Sequence, residues 1–146
     1  MIQHIDMHAV LQQSVSGVYA DLVTRPTGRV VRERIEQVFD AAGVPVVARM
    51  DFSGVGCIDY SCADEIVAKL LRERPAVLVL TGIRDGHREA IEPVLAGHGL
   101  AVLVERPDGT LDALGAPQAA AALVEELVAR RLAARAPGGT VALTPA

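Results

Sequence analysis

The chain has 146 residues, of which 51% are hydrophobic and only 3% aromatic, with no Trp, and its 14 basic and 18 acidic side chains give a formal net charge of −4. That length suits one well-buried domain and is too short for two ordinary ones, and a core without large rings has to be built from Val, Leu, Ile and Ala. The charge forms no basic face, which argues against a direct nucleic-acid partner; no apolar run nears the roughly twenty residues of a membrane span, and MIQHIDMHAV has no secretion-signal pattern, so a cytoplasmic protein without membrane contact is expected.

Between Ile5 and Val23, the apolar residues Val10, Leu11, Val15, Val18, Tyr19 and Leu22 follow helical spacing, while VSGVYADLV would pair equally well as a strand. A turn at Pro26 to Gly28 then precedes Val31, Ile35, Val38 and Phe39, an apolar stripe that predicts an amphipathic helix stopped at Gly43. Its arginines Arg25, Arg29, Arg32 and Arg34, mixed with Glu33 and Glu36, read as a solvated face with ion pairs along the helix, or as a contact for an acidic partner. Val44 to Phe52 is a β-branched apolar run and predicts a strand. A Gly-punctuated loop carries the chain to Ser61, and Ala63, Ile66, Val67, Leu70 and Leu71 mark the next helix, ended by Pro75.

AVLVLTGI, residues 76 to 83, predicts a fully buried strand. Asp85 is placed to cap a helix carrying Ala90, Ile91, Val94 and Leu95, in which Pro93 is tolerated without a kink only if the helix starts late enough to hold it in the first turn; Gly97 and Gly99 stop that helix. LAVLVER, residues 100 to 106, predicts a further strand, PDG a turn, and a final helix runs from Pro117 to about Arg135. From Pro137 to Ala146 there is no pattern, and a disordered tail is expected. Strands alternating with helices of about a dozen residues are βαβ units. The fold class is therefore α/β: a single domain over residues 1–135, with a parallel or mixed sheet covered by helices, and a flexible tail over 136–146.

Chemistry concentrates in MDFSGVGCIDYSCADEI, residues 50–66, where a hydroxyl is presented between a buried strand and a helix. SCAD has the spacing of a capping box, in which Ser61 accepts an amide hydrogen bond near Asp64. The same position would suit a phosphorylatable switch, and Asp59 either bonds to that hydroxyl or forms an Asx-turn. Asp64 and Glu65 fall in the first helical turn, where two carboxylates would repel an incoming phosphate.

This segment resembles the loop by which STAS domains, the fold of bacterial anti-sigma factor antagonists, offer a Ser or Thr to a partner kinase. FSGV (52–55) matches the turn before the motif, Asp59 matches its Asp, Tyr60 replaces the first hydroxyl residue, Ser61 matches the phosphoacceptor, and Cys62 and Ala63 replace Gly-Leu. The Ala-Asp-Glu that follows Cys62 looks more like a STAS-like branch of the family. The resemblance covers roughly residues 27–106, leaving an extra N-terminal segment and a final helix that either cover the open face of the sheet or make a homodimer contact. It implies a non-enzymatic signalling regulator acting on transcription by protein binding, switched by phosphorylation of Ser61. The partner-binding residues it implies are Asp59, Tyr60, Ser61, Cys62, Asp64 and Glu65, and the partner an anti-sigma-type serine kinase or a related signalling protein.

Other chemistries find less support. Cys57 and Cys62 are separated by four residues with no second ligand pair at metal spacing, so with His4, His8, His87 and His98 they read as buried loop thiols and scattered surface histidines rather than a zinc site, and no metal or cofactor is expected. No phosphate-binding Gly loop, G-x-S-x-G elbow or HExxH is present, although Asp59, Ser61, Asp64, Glu65 and His87 would compose a hydrolase on paper. The alternative function is a small-ligand or metal-binding α/β domain that uses the carboxyl end of its sheet.

Overall fold

The computed structural model describes residues 2–14, 20–43, 47–73 and 77–144. Strands β1 (Ile2–Asp6), β2 (Val47–Asp51), β3 (Val77–Thr81) and β4 (Ala101–Glu105) lie side by side in sequence order, all parallel, and β5 (Leu111–Gly115) returns antiparallel along β4. The three apolar runs of the sequence are thus neighbouring strands of one sheet, as the βαβ reading requires; Val46 and Ala76, at their edges, lie outside the described residues.

Because the parallel strands follow one another in order, same-handed crossovers all step in one direction and place their helices on one face. That face carries α1 (Met7–Ser14), α2 (Arg25–Ala42), a continuous helical segment made of α3 (Tyr60–Cys62), a π-helical stretch (Ala63–Ala68) and α4 (Lys69–Glu73), and then α5 (Asp85–Gly97). Alternate strand residues Ala48, Met50, Leu78, Leu80, Val102 and Val104 meet Leu11, Ile35, Phe39, Ile66, Val67, Ile91 and Leu95 there in one buried cluster. The other set, Val47, Val77, Val79 and Leu103, packs beneath α6 (Pro117–Ala129) and the hairpin of β6 (Ala133–Arg135) and β7 (Val141–Leu143), through Leu127, Ala133 and Val141. The final helix therefore covers the second face of the sheet, as a parallel sheet needs. Among the described residues no helix is long and apolar enough to cross a membrane.

Several elements differ from the sequence reading. The N-terminal segment, open between helix and strand, opens as β1 and continues as α1, whose first amides at His8 and Ala9 donate to Asp6 at 3.0 and 3.2 Å; Val15 to Tyr19 lie outside the described residues. β1 and β5 were not foreseen, because an edge strand such as IQHID or LDALG has no continuous apolar run to announce it. Pro26 sits in the first turn of α2 and not in a preceding turn. Asp85 begins α5 without capping it; Arg84 holds the cap position, its N–H donating to His87 Nδ1 at 3.1 Å, and Pro93 lies well inside the helix.

The last helix stops at Ala129, short of Arg135. Arg131 takes a left-handed φ of 61°, and the amides of Arg131 and Leu132 turn back onto Val128 and Leu127 at 3.0 and 2.9 Å, a glycine-type helix ending built without the glycine that would have marked it. The stretch expected to be a disordered tail holds β7, paired with β6, while 145–146 lie outside the described residues.

Truncating Leu127 to Ala should cost about 3 kcal/mol in urea unfolding, the usual penalty for a cavity under a buried leucine; a loss below about 1 kcal/mol would mean that α6 does not seal the second face.

Candidate functional site

Where β2 ends, the chain does not hang free. The Ser53 N–H donates to Asp51 at 2.9 Å, and Val55 N–H to the Phe52 carbonyl at 3.0 Å, closing the turn expected at FSGV. Residues 56–59 then run beside 20–24, with Gly56 N–H bonded to Ala20, Leu22 N–H to Cys57 and Asp59 N–H to Leu22 at 2.7, 2.7 and 3.0 Å. From the other side Arg84 donates to the carbonyls of Ser53, Val55 and Gly56. His87, only 1% exposed, adds its Nε2 at 3.1 Å from the carbonyls of Val55 and Gly56 while Nδ1 accepts from Arg84. These partners assign the neutral tautomer with hydrogen on Nε2, and burial, then the Arg84 charge, lowers the His87 pKa below its ordinary 6.5. Gly82, at φ 68°, lets the end of β3 lie against this loop, since a Cβ there would sit 2.6 Å from Ser53 N.

Asp59 caps the following helix: its Oδ1 accepts the Cys62 N–H at 2.8 Å, and its Oδ2 accepts the Thr24 N–H at 3.0 Å. The capping role expected of Ser61 is thus corrected. Ser61 lies within α3, two residues past the cap position, and its hydroxyl donates to Asp59 Oδ1 at 2.8 Å. The geometry realises the hydrogen bond foreseen between the two side chains. Burial alone would raise the Asp59 pKa, but the bonds from Cys62, Thr24 and Ser61 outweigh it and hold the carboxyl below its ordinary 3.8. Cys62 is fully buried, its Sγ 3.0 Å from the Thr24 carbonyl, and burial followed by the Asp59 charge pushes its pKa up to about 12. Cys57 is exposed, contrary to the expected buried pair, and its hydrogen bond with Asp21 keeps that thiol protonated as well.

The two carboxylates of SCADE, expected together in the first turn, differ in burial. Glu65 is 0% exposed and draws Lys69 at 2.8 Å, Arg25 at 3.0 Å and Arg32 at 3.6 Å. Burial would raise its pKa; Lys69 and Arg25 reverse that and leave it below 4.5. Asp64 pairs with Arg25 at 2.7 Å, the main cause of its lowered pKa, with His98 at 3.4 Å and Arg72 at 4.0 Å further out. The arginines of α2 are therefore more than a solvated face: Arg32 makes the expected pair with Glu36 at 2.7 Å, yet Arg25 and Arg32 also tie α2 to the π-helical stretch. Gly28 permits the approach, since a Cβ there would lie 3.0 Å from Glu65 Cβ and 3.1 Å from Cys62 Cα.

Of the residues proposed to bind a partner, the structure turns Tyr60, 62% exposed, outward and leaves Ser61 and Asp64 half-buried; Asp59 is engaged in the cap, and Cys62 and Glu65 face inward. Tyr60, Ser61, Arg25, Asp64, Arg72, His98, Pro93 and Val94 line one groove of about 610 Å³ between the π-helical segment and α5. Arg72 and His98 belong to this site and were missed by the sequence reading, because nothing in their local pattern joins them to Ser61. His87 is not aimed at Ser61 as the paper hydrolase needs: its Nε2 faces the loop carbonyls of Val55 and Gly56, and its Nδ1 accepts the Arg84 N–H at the start of α5. His87 is also a buried residue and not the surface histidine expected.

A second concavity, about 300 Å³, lies at the carboxyl ends of β1, β2 and β3, lined by His4, Asp6, Arg49, Asp51 and Thr81. Asp6, Asp51 and Thr81 stand in register across the three strands, and Arg49 pairs with Glu105. Among the described residues, no group of three or more His, Cys, Asp or Glu side chains is placed to hold a metal ion. No protein-family model matches the chain, and no curated protein or solved structure matches it at a significant level.

Asp59→Ala should destabilise the protein by about 2 kcal/mol or more, through loss of the cap and of the Thr24 and Ser61 bonds, whereas Ser61→Ala should cost about 1 kcal/mol or less. Chemical denaturation of both variants reads this directly, and equal losses would refute the assignment of the cap. Lowered folded-state pKa values at Asp59, Asp64 and Glu65 contribute stability that is full above the ordinary carboxylate values of 3.8 and 4.5 and disappears as pH falls through the folded values. His87, also lowered, acts in the same direction from 6.5 downward. The melting temperature should therefore begin to fall below about pH 6.5 and drop steeply below about pH 4.5, and His87→Gln should flatten only the upper part of that curve.

Proposed function

We propose that this protein is a non-enzymatic signalling regulator that binds another protein through the surface around Tyr60 and Ser61, in the manner of the anti-sigma factor antagonists that its SGV and DYS segments resemble. The partner class is an anti-sigma-type serine kinase or a related signalling protein, the output is control of transcription, and Ser61 is the residue whose phosphorylation switches binding. The observation that carries this reading is Tyr60, a large aromatic ring left 62% exposed on a backbone held from both sides. Interfaces concentrate their energy in such aromatic anchors, and a pre-held loop loses little freedom on binding. The position beside Ser61, over a groove between two helices, places a modifiable hydroxyl within the same contact area.

A second reading, a small-ligand domain, is favoured by one feature. Central strands of a covered parallel sheet are usually apolar throughout, yet Arg49 and Asp51 interrupt β2 and line the cleft at its carboxyl end with Asp6 and Thr81.

Calorimetric titration with an anti-sigma-type serine kinase tests the first reading. The parent chain should bind, Tyr60→Ala should weaken binding by about 30-fold, as loss of an anchor worth about 2 kcal/mol requires, and ATP should place phosphate on Ser61 by mass spectrometry. No binding, together with saturable amide shifts at Asp51 and Thr81 on adding magnesium or calcium, would replace it with the second.

A further inference from the structure

On the sequence alone, Asp64 and Glu65 make the surroundings of Ser61 hostile to a phosphate. Their positions reverse that judgement. Glu65 is turned fully inward and matched by Lys69, Arg25 and Arg32, so it presents no carboxylate to the groove. Among the described residues Asp64 is the one carboxylate lining the groove, and Arg25, Arg72 and His98 converge on it at 2.7, 4.0 and 3.4 Å. Beside the Asp59 carboxylate that accepts its hydroxyl, Ser61 opens onto a groove in which two guanidinium groups and an imidazole gather around Asp64. The side chains of Arg25, Arg72 and His98 are 46%, 42% and 40% exposed, so they are free to re-aim without unpacking the core.

We propose that a phosphate on Ser61 is received in cis by this groove, with Arg25 and Arg72 transferring from Asp64 to the phosphate oxygens and His98 at the rim. The proposal rests on the reading of Ser61 as phosphoacceptor and adds what the phosphate does. ATP held by the kinase is the donor: the Ser61 Oγ–phosphorus bond forms as the bond from the γ-phosphorus to the ADP oxygen breaks, and the hydroxyl proton passes to the kinase's base and solvent. The esterified oxygen can no longer donate to Asp59, now 2.8 Å away, and repulsion between that carboxylate and the phosphate drives the new group outward, toward the arginines. Guanidinium–phosphate bonds are charge-assisted and two-pronged, which makes them stronger than the single contacts Asp64 gives up. The phosphate would then fill the groove next to Tyr60, and Arg25 would let go of Asp64, one of the two acids through which it fastens the first turn of α2 to the π-helical stretch, while keeping Glu65. Phosphorylation on this account acts by occupying the partner's groove from within the chain.

The test uses the full chain with phosphoserine installed at position 61 during translation, so that no kinase is needed, and follows the phosphorus resonance by NMR against pH. A solvated phosphoserine titrates with a second pKa of about 6; clamped by the two arginines it should titrate roughly one unit lower. Arg72→Gln, whose side chain is exposed and outside the core, should move the midpoint back toward the solvated value, and Arg25→Gln should do so as well. A midpoint equal to that of a phosphoserine peptide, or a lowered one that Arg72→Gln leaves in place, would overturn cis capture. Failure of the kinase to bind or modify the chain would instead count against the function proposed above and would leave the phosphorus titration as it stands.

Discussion

The carboxylate of Asp59 joins two pieces of chain that are distant in sequence. One oxygen receives the Cys62 amide and the Ser61 hydroxyl, the other the amide of Thr24, thirty-five positions away. Thr24 needs that support: its φ of 70° and ψ of 143° lie in a region that side-chain-bearing residues avoid, at a cost of order 1–3 kcal/mol. The strained residue turns the chain into α2, and its carbonyl is the acceptor for the buried Cys62 thiol. One acid thus sets the start of α2 and the start of α3 relative to each other, and with them one end of the groove beside Ser61.

Glu65 continues the same junction further inside. A buried carboxylate is a poor source of net stability, since removing it from water costs several kcal/mol that ion pairing only offsets. Its cations come from both sides, Arg25 and Arg32 from α2 and Lys69 from α4, so it ties the two helical segments together. Gly28 lets the backbones come close enough for this. In this chain the buried acid links the helical segments more than it adds stability, and the apolar cluster of Ile35, Phe39, Ile66 and Val67 carries the burial energy.

These constraints divide the segment 59–65 into two faces. Asp59, Cys62 and Glu65 look inward and hold the framework, while Tyr60, Ser61 and Asp64 look toward the groove and solvent. The segment therefore separates side chains that hold the framework from side chains that line the groove. The opposite side of the loop is fastened independently by Arg84 and His87, so the surface around Tyr60 is supported from α5 as well as from α2.

The sequence by itself determined what local periodicity and unbroken apolar runs can encode: three neighbouring strands, α2 and its stop at Gly43, the turn at FSGV, and the α/β class. Elements whose signal lies in another part of the chain were settled only by tertiary structure. β1 and β5 are strands because β2 and β4 offer them hydrogen-bonding edges, and Arg131 ends α6 because β7 supplies a partner for the strand that follows. The cap passed from Ser61 to Asp59 because Asp59 also reaches Thr24, a contact no local motif records. Charge shows the limit most clearly: SCADE reads as an acidic surface until Arg25, Arg32, Lys69 and Arg72 are brought around it, since sequence lists charges in order but their neutralisation depends on distance in space.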